Sequence, residues 1–255
     1  MSRIAMRSAT CLAALHFGIV APLAAQSAAV EGRAPWRERV SLEVGSGILN
    51  PTAHSQLYTL LDRALAPGGR TLQPRLLYGI VHYAVTPQVA IVLRADAGSH
   101  TTRSVSVAQP TTPAPDLRQQ TTLRIRAQST LGAQFVAWRW HGRDSSSGSD
   151  RVRLTFGAGI GAVSYGLNQH GTFVDATRLI AYRADYRSSG IGPMTYAAST
   201  LEVPVRRGVA LSGILRRQWG SARMSQDYAT FDRLDFGGTT GTIGLVMKPW
   251  TMRRR

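Results

Sequence analysis

Three groups of residues in this chain carry side chains that could do chemistry. Asp96, Ser99 and His100 place an acid, a hydroxyl and an imidazole within five positions, and Glu43 with His82 offers a second acid and imidazole. Acyl transfer requires such groups to converge, the imidazole taking the hydroxyl proton while the acid orients the ring. Neighbouring residues of a strand point to opposite faces, so Ser99 and His100 would diverge, and no catalytic set is expected. The third group lies in VAIVLRADAG, residues 89–98, where Arg94 and Asp96 stand two apart after an aliphatic run. With period two, Val89, Ile91, Leu93, Ala95 and Ala97 share one face, and Ala90, Val92, Arg94, Asp96 and Gly98 share the other. Their chemistry is an ion pair: two positions along a strand is about 7 Å at Cα, within reach of a guanidinium.

Metal and cofactor chemistry find little support. Cys11 is the only cysteine, so no disulfide framework or thiolate metal site is expected once it departs with the leader described below. Gly157, Gly159 and Gly161 resemble a phosphate loop only in spacing, because no helical pattern follows them. No metal and no cofactor is expected.

The elements that would hold these groups begin after an export signal. Arg3 and Arg7 precede an apolar run from Ala9 to Leu23, and small residues follow, which is the build of a secretory signal peptide. The expected division is a signal at 1–25, a short segment at 26–36, one all-β domain at 37–250 and a basic tail at 251–255. Cleavage between Ala29 and Val30 is the alternative. The net charge of +16 falls to +14 without Arg3 and Arg7, and Lys248 is the only lysine. An exported protein seldom meets nucleic acid, so none is expected. Guanidinium pairs phosphate in a bidentate fork, which favours anionic lipid or lipopolysaccharide as a partner; the alternative is that the arginines are simply solvated.

Eight segments alternate with period two or run apolar: 39–47, 74–85, 89–98, 120–140, 151–166, 194–204, 209–220 and 235–250. In the fourth, Leu123, Ile125, Ala127, Leu131, Ala133 and Phe135 alternate with Thr122, Arg124, Arg126, Gln128, Thr130 and Gln134. Connections alternate too. Short ones (86–88, 141–150, 205–208) interleave with long ones at 49–73, 99–119, 167–193 and 221–234. Leu57, Leu60, Leu61, Ala64 and Leu65 follow helical spacing within the first long connection. Trp36, Tyr83, Trp138, Trp140 and Trp250 fall at the short-turn end, with Tyr165 and Trp219 at the opposite mouth. Amphipathic rings collect at the two bilayer interfaces, so these seven are read as two girdles.

This arrangement resembles the small eight-stranded bacterial outer-membrane β-barrel proteins, of the OmpA-transmembrane and OmpW-like kind. The likeness covers Arg37 to Trp250 and rests on architecture, not on a site motif. In such barrels the last strand carries a polar–x–Gly–x–x–apolar–x–apolar pattern; Thr242, Gly244 and Met247 match it, Pro249 does not, and a tail of residues 251–255 overhangs. The resemblance implies an antiparallel up-and-down barrel in the cell outer membrane of a Gram-negative envelope. It implies lipid and lipopolysaccharide contact, handling by the barrel assembly machinery and a monomeric state. Arg94 and Asp96 would then face the lumen, with Glu43, Arg124, Arg126, Arg153, Glu202 and Arg216 as partners, because charges packed there must pair. The leading expectation is a non-enzymatic protein with a lumen filled by ion pairs. A narrow channel for small apolar solutes, a lipid-modifying barrel enzyme and a soluble lipocalin-like barrel are the alternatives.

Overall fold

The computed structural model describes residues 39–52, 56–59, 72–105, 117–140, 152–175 and 177–248. The compact unit that holds them begins at residue 37. Its strands are β1 (Val40–Pro51), β2 (Arg75–Ala84), β3 (Val89–Val105), β4 (Arg118–Arg139), β5 (Arg153–Val174), β6 (Ala181–Arg206), β7 (Val209–Arg223), the three-residue β8 (Arg233–Asp235) and β9 (Gly238–Met247). Each of β1 to β7 pairs antiparallel with the next, and β9 pairs with both β7 and β1. Eight strands therefore close a ring, and β8 hangs from the end of β7 outside it. This is the all-β, eight-stranded, antiparallel up-and-down barrel expected.

The register fixes the shape of the ring. Ser41 pairs His82, and the row runs on through Val92, Gly132, Gly159, Tyr196, Gln218 and Gly238 to Pro51. One circuit thus climbs β1 by ten residues, from Ser41 to Pro51. A stagger of that size over eight strands tilts them about 40° from the barrel axis.

The outer wall carries the aliphatic faces. Leu77, Leu93, Leu131, Ile160, Ile191 and Ile243 are between 53% and 73% exposed. Water would penalise such a band at roughly 25 cal/mol per Å², whereas a bilayer would solvate it. Among the described residues no helix is long and apolar enough to cross a membrane.

The structure corrects two readings of the chain. First, much of the second and third long connections is strand: β3 runs to Val105 and β4 starts at Arg118, while β5 and β6 extend to Val174 and from Ala181. In the added part of β3, residues 99–104 are polar on both faces, so no alternation marks it. Second, Arg124 and Arg126 lie on the outer wall, and Leu123 and Ile125 are buried within. Arg126 is an extra residue in β4: Ile125 pairs Gly98 and Tyr165, but Gln128 pairs Asp96 and Ala127 pairs Ser164. One bulged residue reverses the facing of everything beyond it. In the first connection residues 56–59 are helical, and Leu57 and Tyr58 are buried. The expected helical positions 60–65 lie outside the described residues.

Candidate functional site: the barrel lumen

The lower half of the lumen holds the charges. The Arg94 Nε donates to both Asp96 oxygens at 2.9 and 3.0 Å, and its Nη2 donates to Oδ1 at 2.6 Å. Arg216 of β7 reaches the same carboxylate, its Nη1 donating to Oδ2 at 3.3 Å. With its oxygen turned toward Arg216, the Gln128 amide accepts from Nη1 and Nη2 at 3.1 and 3.2 Å. Each guanidinium also lies over an aromatic face, Arg94 over Tyr78 and Arg216 over Tyr196, both 4.3 Å from the ring centre. A ring quadrupole attracts a desolvated cation there.

Glu43 organises a second knot. It accepts from the Tyr78 hydroxyl at 2.8 Å and from Ser212, and His82 Nε2 lies 3.1 Å from its other oxygen. His82 Nδ1 sits 3.2 Å from Gln134, whose amide donates to Thr200 at 3.2 Å. Nearer the short-turn end Arg153 donates to Glu202. Two carboxylates, Asp96 and Glu202, thus meet three guanidiniums, Arg94, Arg216 and Arg153, while Glu43 is held by Tyr78, Ser212 and His82. An unpaired ion at that depth would be very costly.

Glycines on the inner face make room for the two tyrosines. A Cβ on Gly244 would stand 2.2 Å from the Tyr78 hydroxyl, and one on Gly132 would stand 2.3 Å from that of Tyr196. Sequence reasoning missed Tyr78, Tyr196, Gln128 and Ser212. Tyr78 shares the face of His82, and Ser212 that of Arg216, so strand parity could have found both.

An apolar cluster fills most of the upper half of the lumen, with Gln119 and Gln169 hydrogen-bonded beside it. Leu49, Leu57, Leu76, Leu123, Ile125 and Tyr165 lead a core cluster in which each of these is at most 1% exposed. Tyr165 is therefore an interior residue and not a girdle one. Its hydroxyl contacts Ser188 at 2.9 Å and donates to the Arg223 carbonyl at 3.0 Å, and its ring meets Phe236 at 5.3 Å. Its position on β5 has the parity of Gly157, Gly159 and Gly161, and that parity, not closeness to the strand end, sets the facing. Tyr83, Trp138, Trp140 and Trp219 are exposed on the outer wall, while Trp36 and Trp250 lie outside the described residues.

The hydroxyl–imidazole–acid sets do not assemble as relays. Ser99 is exposed on the outer wall, whereas Asp96 is buried inside. Ser212 donates to Glu43 and not to His82, so that geometry leaves the imidazole no hydroxyl proton to take. Among the described residues no cluster of three or more His, Cys, Asp or Glu side chains could hold a metal ion. A cavity of about 500 Å³ opens at the short-turn end and reaches His82, Gln134 and Thr155. On the far hairpin, outside the apolar band, Arg187 donates to Asp185 at 2.5 Å. That bond holds the Asp185 carboxyl below the usual carboxylate range.

No family model matches the chain, and no curated protein matches it. Solved structures do. Neisserial surface protein A (NspA) aligns at 11% identity over 82% of this chain and 96% of its own, with a TM-score of 0.38. Ail, the attachment invasion locus protein of Yersinia pestis, aligns at 10% identity over 82% and 96%, with a TM-score of 0.36. The N-terminal β-barrel domain of Pseudomonas aeruginosa OprF aligns at 10% identity over 82% and 97%, with a TM-score of 0.34. By its own strand pairing this chain is a small eight-stranded antiparallel β-barrel, the fold class of the small outer-membrane barrels.

Proposed function

We propose that this protein is a closed, non-enzymatic barrel of the Gram-negative outer membrane that acts through its surfaces. Export by the signal peptide and insertion by the barrel assembly machinery would deliver it as a monomer. The long hairpins would face outward and contact envelope lipid, lipopolysaccharide or external partners, with Tyr83, Trp138, Trp140 and Trp219 at the bilayer interfaces. One observation carries this reading: the lumen is filled twice, by paired charges below and by an apolar core above. An eight-stranded ring is just wide enough for such filling.

The competing reading is a channel for small apolar solutes. The apolar upper lumen favours it, but the protein's own side chains occupy that space. Planar-bilayer recording decides between them. The closed barrel yields no steady unitary conductance, and a reproducible one would replace this reading with the channel. Fractionation with a heat-modifiability gel tests the location, because a folded membrane barrel migrates anomalously until boiled.

A further inference from the structure

The bulge that turns Arg124 and Arg126 outward also completes a row on the outer wall. Gly241, Ile48, Arg75, Ser99, Arg124 and Gly166 are successive cross-strand partners across β9, β1, β2, β3, β4 and β5. Arg75 and Arg124 flank the Ser99 hydroxyl, and two strand spacings put their Cα atoms about 10 Å apart. All three residues are exposed. Arg126 lies over Gly166, its guanidinium 3.1 to 3.4 Å from where a Cβ would stand. Among the described residues, neither Arg75, Arg124 nor Arg126 enters an ion pair.

Directly beside Arg75 a groove of about 760 Å³ runs down the wall between Ile48, Leu77 and Ile243. Its floor is thinned by Ser46 and Gly241, and the backbone of Gly47 lies beneath it. Three unpaired guanidiniums at the upper edge of an apolar band, with a greasy groove below one of them, match one kind of molecule. It has an anionic head and hydrocarbon tails.

We propose that Arg75, Ser99, Arg124 and Arg126 form a phosphate site for the acylated, phosphorylated glucosamine lipid that anchors lipopolysaccharide, one acyl chain lying in the groove over Gly47 and Gly241. Guanidinium forks suit phosphate oxygens, and the hydroxyl between them supplies a further donor. The lipid anchor of lipopolysaccharide is chosen over a phospholipid because three cations, one on β2 and two on β4 with β3 between them, exceed what one phosphodiester needs. The proposal rests on the orientation given above, with the long hairpins in the outer leaflet.

Native mass spectrometry of the full chain folded in detergent tests it, with bisphosphoryl lipid A, dephosphorylated lipid A and phosphatidylglycerol as probes. Lipid A binding should weaken at least tenfold in R124A/R126A and at least threefold in R75A. R206A/R207A, which removes the same charge from exposed residues at the short-turn end, should bind as the unaltered protein does. G241F fills the groove where a Cβ meets open space, and should weaken lipid A at least threefold without disturbing folding on a heat-modifiability gel. Equal losses in R124A/R126A and R206A/R207A would reduce the site to net charge and overturn it. Undiminished binding of dephosphorylated lipid A would do the same, and equal affinity for phosphatidylglycerol would overturn the choice of lipid. If G241F binds normally, the groove is not occupied. Conductance, recorded on the same preparation, reports on the closed lumen separately.

Discussion

Asp96 and Arg216 are 120 residues apart in the chain, yet the Arg216 guanidinium donates to the Asp96 carboxylate at 3.3 Å across the lumen. Arg94 holds the same carboxylate from its own strand. One acid therefore serves two cations, and the lower lumen depends on it.

Asp96→Asn leaves both guanidiniums short of a countercharge. Breaking a buried pair in this way costs on the order of 3–5 kcal/mol, which a urea unfolding titration in detergent would read. The Asp96→Ala and Arg94→Ala double variant should lose less than the sum of the singles, because the two share one interaction. Silent single variants would mean solvated charges and a wet lumen.

Leu131 and Ile160 are direct register partners on the outer wall, 54% and 68% exposed. Replacing either with Arg should cost about 2–4 kcal/mol in a bilayer if the pair faces mid-membrane lipid. Equilibrium folding into lipid vesicles measures this. No loss at either position would remove the membrane from the explanation of the apolar band.

Deleting Arg126 should be tolerated. It is the surplus residue against both β3 and β5, so its loss restores regular ladders with every other side chain facing as before. Deleting Ser129, which stands between the inward Gln128 and Thr130, turns half of β4 inside out. The first variant should keep heat-modifiable migration and the second should lose it.

Gly244→Ala places a Cβ 2.2 Å from the Tyr78 hydroxyl. Moving that ring disturbs its bond to Glu43 and its contact with Arg94, for an expected loss of about 1–3 kcal/mol. In a Tyr78→Phe background the same substitution should cost less. Chemical denaturation of the four proteins gives the coupling, and strict additivity would show that the glycine does not serve the tyrosine.

The charged knot was half legible in the sequence. Glu43, Arg94, Asp96, Arg153, Glu202 and Arg216 each follow from strand parity alone, since period two assigns a face without knowledge of the partner strand. Parity also assigns Tyr78 to the lumen face, but the placing of Tyr78 over Arg94 and of Tyr196 over Arg216 was not legible in that way. A cation–ring contact joins strands by register, and register depends on the stagger of the whole ring.

The number of ring strands and the short-turn and long-hairpin ends follow from alternation and spacing, because those are local properties of the chain; the antiparallel up-and-down order came with the resemblance to the small outer-membrane barrels. The facing of Arg124, Arg126, Leu123 and Ile125 does not. Nothing near Arg126 marks it as surplus in sequence; it becomes so only when β3 and β5 supply one residue fewer on either side. That single mismatch moves two arginines from the lumen to the outer wall and leaves an apolar core in their place. Local pattern sets which elements form. Only the closed ring decides which side of each strand is inside, since closure alone fixes where an extra residue must go.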